Sequence, residues 1–414
     1  MAKPGVTPRH AAWRALSGVF DTGDMLTFDA DLSGADAARA GRLARTTLRH
    51  LGRIDSLLGR FIQRKPIPLV HHLLRLGAAE LLAEQAPAHG VVDAYVSLSK
   101  SSHDTRRAAG MINAVLRKLA TQGPDIWANQ GPQRLPKWLR NPLRDAYGAD
   151  AVRAIEAAHE AGAPIDLTLK DDLAIDGAQI LPTGSIRLAR GAQVSALPGY
   201  ETGAFWVQDA AAALPVRLLG KLSQANVLDL CAAPGGKTMQ LAAAGARVTA
   251  LDRSPERLER LRDNLDRTQL SAEIVIADAC DWRGGPFDAI LLDAPCSATG
   301  TIRRHPELPF IRSAADVAAL TELQSSMIDA ALAQLKPGGR LVYCTCSLLP
   351  EEGEAQITAA LTRHPGLKAL PLNPMALGAE PGWASPEGGL RLRPDYWAET
   401  GGMDGFFMAA LEHR

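Results

Sequence analysis

Apolar residues in the first part of the chain follow the spacing of amphipathic helices. From position 8 to position 120 they recur three or four positions apart, and the two-residue alternation of half-buried strands is absent. Ile54, Leu57 and Leu58 form one such series, and Leu73 belongs to the next. This region is therefore predicted to be a compact, all-α bundle.

The pattern is mixed between positions 121 and 200. Gly123-Pro124 and Gly131-Pro132 interrupt the helical spacing, because glycine and proline are the strongest local breakers of regular structure. The residues from 135 to 139 predict the start of a short helix, and those from 181 to 197 predict short strands. This stretch is predicted to be a connector, and its role does not follow from its residues.

Beyond position 203, short apolar runs alternate with helical periodicity. This rhythm is typical of βαβ units, which build a mostly parallel sheet with helices on both faces. We therefore expect an α/β Rossmann-like fold, with ligands at the carboxyl ends of the strands. The predicted strands are 226–230, 247–251, 273–277, 287–292 and 340–345, and the predicted helices are 237–244, 254–267, 314–335 and 350–362.

These patterns divide the chain into three predicted domains: a helical domain over 1–125, a connector over 126–200 and an α/β domain over 201–414. The net charge is zero, but the first 120 residues hold 17 Lys and Arg against 10 Asp and Glu, whereas the remainder holds 28 against 35. A basic first part favours contact with a polyanion. A solvated helical surface explains the same excess equally well.

Composition narrows the class of protein. The 414 residues are 46% hydrophobic and 22% charged, as is ordinary for a soluble globular protein. No apolar run reaches the length of about 18 residues that a membrane span needs, and the first ten residues lack the apolar core of a signal peptide. Five cysteines are an odd number for a disulfide framework, so we expect reduced thiols and a cytoplasmic location.

A glycine turn follows the first predicted strand of the α/β region, in the sequence Leu-Cys-Ala-Ala-Pro-Gly-Gly-Lys-Thr at 230–238. It is not a phosphate-binding P-loop, because Cys231 stands where that motif requires glycine, and the pattern G-x-G-x-x-G is absent. Backbone N–H groups at the start of the following helix can still face a polar ligand. An ordinary strand-to-helix turn is the alternative.

Aspartates stand at or beside the ends of several predicted strands. Asp252 follows the glycine turn by about 20 residues, which is the usual distance of a carboxylate that accepts hydrogen bonds from ribose hydroxyls. Asp278 ends the third strand, where an acid can receive an adenine amino group. Each aspartate taken alone is equally well explained as a helix N-cap. As an ordered series they favour a cofactor that contains a nucleoside.

Two cysteines are candidates for catalysis. Cys296 and Cys346 both follow predicted strand ends, where a thiol is readily exposed and its thiolate can act as a nucleophile. Cys344 shares the face of Cys346 if the strand stays extended. Cys280 is expected to be a buried small side chain, and Cys231 part of the turn. The chain has no Cys-x-x-Cys pair, so no metal site is expected.

In these segments the chain resembles the Sun/Fmu-type RNA cytosine-5 methyltransferases. The resemblance rests on the glycine turn at 230–238, on Asp-Ala-Pro-Cys-Ser-Ala-Thr-Gly-Thr-Ile-Arg-Arg-His-Pro-Glu at 293–307, and on Tyr-Cys-Thr-Cys-Ser-Leu-Leu-Pro-Glu-Glu-Gly-Glu at 343–354. The N-terminal region resembles the NusB-type RNA-binding domain, including residues 87–93 and 113–117. The resemblance implies a class I methyltransferase core behind an all-α, NusB-like domain.

The resemblance also implies that the cofactor is S-adenosyl-L-methionine. Asp252 would hold its ribose, Asp278 its adenine, and Asp293 would lie where cofactor and base meet. Cys346 would attack the base, and Cys296 would assist release of the product. The implied cofactor loop consists of Cys231, Ala232, Ala233, Pro234, Gly235, Gly236 and Lys237.

The pairing of these two domains implies that the substrate is small-subunit ribosomal RNA. The protein is expected to act as a monomer and to have no membrane partner. Arg303, Arg304 and His305 are candidates for contacts to RNA phosphates, and a solvated loop is the alternative. Transfer RNA or another RNA is an alternative substrate. A non-catalytic assembly factor would be expected to lack a catalytic cysteine, but both are present. Ala298 departs from the family, which favours glycine at that position.

Overall fold

The computed structural model describes residues 6–28, 32–170, 172–189 and 191–413, so the first five residues of the predicted helical domain lie outside it. The chain forms two compact units. The first runs to Ala161 and includes Ile302–Ser313, and the second holds Gly162–Thr301 and Ala314–Arg414. This division into two units differs from the three domains expected from the sequence, with boundaries at 125 and 200. Those three domains stay a prediction.

The first unit is helical, as predicted. The apolar series identified in the sequence lies in its core, where Ile54, Leu57, Leu58 and Leu73 are fully buried. Its helices are α1 (Val6–Asp21), α2 (Gly34–Arg49), α3 (Leu51–Phe61), α4 (Pro68–Leu82), α5 (Ala88–Ser101), α6 (Ala109–Ala128) and α7 (Lys137–Ala161).

The helix expected to start near residue 135 begins at Lys137, and a second helical segment follows it directly. Pro142 and Gly148 are both residues of low helix propensity. The 25 residues of α7 form two helical segments that meet at Gly148, where φ is 84° and the backbone is not helical. Glycine adopts this backbone conformation without steric cost.

The second unit begins with a small antiparallel sheet in the order β2-β3-β1-β4. The strands expected between 181 and 197 reduce to Ile186–Arg187, and the other three strands of this sheet lie outside that range. A bidentate ion pair joins two of the four strands, because Arg187 donates to both carboxylate oxygens of Asp166 at 2.7 Å. The strands are β1 (Asp166–Leu169), β2 (Gln179–Ile180), β3 (Ile186–Arg187) and β4 (Phe205–Val207).

The larger sheet carries all five strands predicted beyond residue 203. Its central strands run parallel in the order β7-β6-β5-β8-β9, and its edge is antiparallel, with β12 between β9 and β10 and with β11 also pairing β12. The strands are β5 (Asn226–Leu230), β6 (Arg247–Asp252), β7 (Glu273–Ile276), β8 (Phe287–Asp293), β9 (Leu335–Thr345), β10 (Leu367–Ala369), β11 (Leu390–Leu392) and β12 (Phe406–His413).

The antiparallel edge was not predicted. Strand β12 reads as one apolar run with almost every residue buried, and a run of this kind does not reveal its direction or its neighbour. The helices that follow the strands are α8 (Gly236–Ala243), α9 (Pro255–Thr268), α11 (Ala314–Leu332) and α12 (Glu354–Arg363), and the short α10 (Leu308–Ile311) belongs to the first unit.

The strand order reverses at β5, and this reversal positions the candidate site. From β5 the chain continues to β6 and β7 on one side and then crosses to β8 and β9 on the other. In open α/β sheets, ligands bind in the crevice where the order reverses, at the carboxyl ends of the strands. The glycine turn and both candidate cysteines follow such ends. Among the described residues, no helix is long and apolar enough to cross a membrane.

Candidate active site

The glycine turn after β5 has the conformation that its sequence predicts. Cys231 has φ of 62° and Gly235 has φ of 106°, and α8 begins at Gly236. A Cβ atom at Gly235 would lie 3.1 Å from Leu261 Cγ on α9. Glycine is therefore required at 235 both by the backbone conformation and by the close approach of the neighbouring helix.

Asp252 holds this turn through its carboxylate. Its Oδ2 accepts from the N–H of Ala233 at 3.2 Å, and its Oδ1 accepts from the N–H of Ser254 at 3.0 Å. The residue is only 2% exposed. Asp252 is not the N-cap of α9, because that position belongs to Ser254, whose side chain accepts from the N–H of Arg257. The alternative explanation of Asp252 is thereby removed.

Asp278 lies just beyond the end of β7 and is exposed. Its Oδ1 accepts from the N–H of Cys280 at 2.8 Å, so it caps a turn and no helix starts there. Cys280 was expected to be buried, but it is partly exposed. The burial that remains raises the pKa of its thiol, together with the nearby carboxylate of Asp278.

Asp293, at the end of β8, forms an ion pair with Lys237 from the glycine turn. The Nζ atom of Lys237 donates to Asp293 Oδ2 at 2.7 Å. Lys237 is buried, whereas the Asp293 side chain is 31% exposed. Burial alone would lower the pKa of Lys237, but Asp293, Cys344 and Cys346 together raise it well above its ordinary value. Lys237 is therefore a fixed cation beside the thiols.

The two candidate cysteines meet at this edge of the sheet. Cys296 Sγ and Cys346 Sγ lie 3.5 Å apart, and both residues are partly exposed. The hydrogen bond with Cys346 and burial raise the pKa of Cys296 well above its ordinary value. Cys344 is fully buried within β9, and its Sγ donates to Asp293 Oδ1 at 3.5 Å. Only the pair Cys296 and Cys346 combines contact with partial exposure.

A buried carboxylate lies between the end of β5 and the first turn of α8. Thr238 Oγ1 donates to Asp229 Oδ2 at 2.6 Å, while Asp229 Oδ1 has no hydrogen-bond partner within the described part of the chain. Burial raises the pKa of Asp229 to about 7, against the opposing effect of the Thr238 hydrogen bond. Asp229 is the fourth residue of the predicted strand 226–230, and the sequence assigned it no role.

The segment after Cys296 corrects one expectation. Arg303 is fully buried, so it neither reaches RNA phosphates nor forms part of a solvated loop. Its carbonyl oxygen accepts from Arg49 Nη2 at 2.8 Å, within the helical unit. Arg304 is exposed and His305 is partly exposed. Only these two remain candidates for phosphate contacts.

Sequence reasoning missed the group that joins the two cysteine loops. Glu352, which is fully buried, accepts hydrogen bonds from both Ser297 and Ser347. Each serine directly follows one of the two cysteines, so the repeated pair Cys-Ser was the available signal. The pairing of Lys237 with Asp293 was also missed, because Lys237 was assigned only to the cofactor loop.

Comparison with known proteins agrees with both halves of the fold. A model of the NusB family matches residues 7–121, and the model described as 16S rRNA methyltransferase RsmB/F matches residues 216–412. The ribosomal RNA small subunit methyltransferase B of Pseudomonas putida is 37% identical over 442 aligned positions, which cover 98% of this chain and 98% of that protein.

Two solved structures share the architecture. The alignment with the structure of PH0851 covers 100% of this chain and 99% of that chain, with a TM-score of 0.75 and 22% identity. At this identity the likeness supports the fold alone. A methyltransferase homologue from Pyrococcus horikoshii covers 66% of this chain and 94% of its own, with a TM-score of 0.55 and 27% identity.

Proposed function

The chain belongs to the family of 16S rRNA methyltransferases RsmB/F, and we propose that it transfers a methyl group from S-adenosylmethionine to carbon 5 of a cytosine in ribosomal RNA through a covalent bond to Cys346. The family supplies the reaction class and the kind of RNA. The proposal adds the target atom and the covalent route. The observation that carries it is the pair of thiols of Cys296 and Cys346, 3.5 Å apart.

S-adenosylmethionine is the methyl donor of this methyltransferase family, and when bound it supplies an electrophilic methyl group on a positively charged sulfur. The residues after β5 fit such a ligand, because α8 starts there with N–H groups that face away from the helix. We assign the residues 231–237 to its binding loop, which they form through their backbone. Asp252 holds that loop and accepts hydrogen bonds from the ribose hydroxyls. Asp278, which is exposed, accepts from the adenine amino group.

Cys346 is the proposed nucleophile. Carbon 5 of cytosine is too weak a nucleophile to take a methyl group directly. When the thiolate of Cys346 bonds to carbon 6, the ring electron pair moves to carbon 5, which can then take the methyl group in line. The proton on carbon 5 then passes to water, the electron pair of that C–H bond re-forms the double bond between carbons 5 and 6, and Cys346 leaves as a thiolate, which restores the aromatic ring. The net change at carbon 5 is a methyl group in place of a proton.

Lys237 and Asp293 supply the electrostatics of this step. The ammonium group of Lys237 attracts negative charge on Cys346, and a nearby cation of this kind stabilises a thiolate. The partly exposed carboxylate of Asp293 can share a proton with the ring nitrogen of the base, which disperses the charge of the adduct. Lys237 thus provides a cation for the attacking group, and Asp293 provides a carboxyl group that can hold a proton at the ring nitrogen of the base.

Cys296 is proposed to serve the release of Cys346 from the product. Because the pKa of Cys296 is raised, this thiol keeps its proton near neutral pH. At 3.5 Å it can donate that proton in a hydrogen bond to the departing thiolate of Cys346. The two cysteines thereby act at different stages of one reaction.

Ribosomal RNA is favoured as the substrate by the helical unit. The NusB model matches residues 7–121, and the first 120 residues hold 17 Lys and Arg against 10 Asp and Glu. Binding through such groups releases counterions from phosphates and weakens as salt rises. Action in the cytoplasm, as a monomer, remains our expectation. Bisulfite sequencing of ribosomal RNA from cells without this protein should reveal one cytosine that has lost its methyl group.

The two cysteine substitutions test the chemistry, and each is the matched control of the other. Cys346→Ala should abolish methyl transfer and form no covalent RNA adduct, because no thiolate can attack carbon 6. Cys296→Ala should still permit attack but slow release, so a protein–RNA adduct should survive denaturing electrophoresis. An adduct with Cys346→Ala and none with Cys296→Ala would reverse the two roles. No adduct with either, and no 5-methylcytosine with the parent chain, would refute the proposed function.

A further inference from the structure

The carboxylate of Glu352 is fully buried and accepts four hydrogen bonds. It lies at the end of the short helical turn Pro350–Glu352, just before α12. Its Oε1 accepts from the N–H of Ser297 at 2.8 Å and from Gln324 Nε2 at 3.1 Å. Its Oε2 accepts from Ser347 Oγ at 2.6 Å and from Ser297 Oγ. A buried carboxylate is costly unless such donors satisfy it.

The donors come from both cysteine loops. Ser297 directly follows Cys296, and Ser347 directly follows Cys346. The two serine hydroxyls also lie 3.3 Å from each other. In addition, the N–H of Gly300 donates to the carbonyl oxygen of Cys346 at 2.9 Å. The loop after β8 and the loop after β9 are thus joined at the residues beside their thiols.

Glu352 is itself anchored to the sheet and to a helix. Tyr343 OH, from β9, donates to the Glu352 carbonyl oxygen at 2.8 Å. Gln324, from α11, donates to the Pro295 carbonyl oxygen at 2.9 Å as well as to the Glu352 carboxylate. A polar network that is satisfied on all sides is rigid, because each bond restrains the groups that make the others.

We propose that Glu352 is a positioning residue, which fixes the separation of the Cys296 and Cys346 thiols by bonding to the serine that follows each of them. The inference rests on the proposed function, and it adds a residue that contributes no atom to the reaction. Attack needs Cys346 at the base, and release needs Cys296 at Cys346. One carboxylate that sets both loops therefore controls both steps.

Glu352→Gln is the decisive substitution. The amide places an NH2 group opposite hydroxyls that donate to the carboxylate, and Ser347 Oγ already accepts from the N–H of Leu349 at 3.0 Å. We expect kcat to fall by about 100-fold, as a displacement near 1 Å can cause, with little change in KM for RNA or cofactor. We also expect the covalent RNA adduct to accumulate, because Glu352 accepts two bonds from Ser297 and one from Ser347, so its replacement should slow release more than attack. The matched control is Glu351→Gln, the same change at an exposed neighbour.

The two serines separate the two steps. Ser297→Ala should slow release and accumulate adduct, because it loosens the loop of Cys296. Ser347→Ala should slow attack without accumulating adduct. If Glu352→Gln and both serine variants match Glu351→Gln in kcat and in adduct, Glu352 is not a positioning residue. Activity lost only in proportion to folded protein, with no change in adduct, would also overturn the inference.

A third measurement does not depend on RNA. Alkylation of the full chain by iodoacetamide, followed by mass spectrometry, reports Cys296 and Cys346 against the partly exposed Cys280 as an internal reference. Glu352→Gln should speed alkylation of both thiols relative to Cys280. If the alkylation rates of Cys296 and Cys346 relative to Cys280 do not change, the inference is overturned, even if the parent chain transfers no methyl group. If these relative rates change but the parent chain transfers no methyl group, only the proposed function is refuted.

Discussion

The loop after β5 and the loops after β8 and β9 lie at the same edge of one sheet, but different bonds hold them. In the first, the bonds are made to backbone atoms of the loop. The N–H of Ala232 donates to the Leu251 carbonyl oxygen at 3.0 Å, the N–H of Gly235 donates to the Ala232 carbonyl oxygen at 2.9 Å, and the N–H of Ala233 donates to the Asp252 carboxylate at 3.2 Å. In the second, the side chains of Ser297, Ser347 and Glu352 bond to one another.

This difference suits the two proposed tasks. A cofactor loop has to present backbone N–H groups to a ligand of fixed shape, and a turn with positive φ at Gly235 presents them from the start of α8. A pair of thiols must be held at a set distance while a base enters and leaves, and the side-chain bonds between the two separate loops, together with the bond from the Gly300 N–H to the Cys346 carbonyl oxygen, suit that task. Lys237 is where the two regions meet, since it starts in the first and contacts Asp293 of the second.

Lys237→Gln tests whether the Lys237 side chain serves the cofactor loop or the thiols. Of the substitutions that compare the two regions, it has the largest expected effect on methyl transfer. If its ammonium group serves Asp293 and the thiols, methyl transfer should fall by about 100-fold or more, as is typical when one preorganised charge is removed from an active site. Calorimetry with S-adenosylmethionine should then show unchanged affinity. A fall in affinity that matches the fall in rate would place Lys237 in the cofactor loop alone, as the sequence suggested.

The backbone-held region was the one that the sequence could predict. Gly235-Gly236 after an apolar run marks a strand that ends in a turn and a helix, and these are local signals. Contacts between distant positions leave no such signal: the pair of Lys237 and Asp293 spans 56 positions, and the bond of Ser297 to Glu352 spans 55. The resemblance to known methyltransferases identified both cysteines but not the network that holds them.

The larger errors in the fold have the same origin. Strand β12 is buried on both faces, so its residues show no alternation that would reveal an antiparallel edge. Arg303 looks like part of a basic, exposed run in the sequence, yet it is fully buried in the helical unit. In both cases tertiary packing, not local preference, decides the outcome.

Asp229→Asn sharpens the comparison on the side of the glycine turn. The pKa of Asp229 is raised to about 7 in the folded chain, above the value of about 4 expected when unfolded. Between these values the folded state binds more protons than the unfolded state, so this group lowers stability as pH rises from about 4 to about 7. Asparagine cannot ionise and still accepts from Thr238.

The variant should therefore be more stable than the parent at pH 8 and show a flatter dependence of Tm on pH. Thermal unfolding followed between pH 5 and pH 8 measures the difference. A parallel pH dependence in the two proteins would mean that Asp229 is not protonated in the folded chain near neutral pH.

Ala298→Gly tests the loop of the thiols, with the smallest effect. Ala298 has φ of 57°, a left-handed conformation that costs a residue with a Cβ atom about 1 kcal/mol or more and that glycine adopts freely. This is also the position at which the resembling family favours glycine. We expect the substitution to raise the free energy of unfolding by about 1 kcal/mol, measured by denaturant unfolding of the full chain. The matched control is Ala359→Gly, at an exposed position within α12, which should lower the free energy of unfolding by about 1 kcal/mol. If both substitutions lower the free energy of unfolding by the same amount, the loop after β8 does not hold Ala298 in a left-handed conformation.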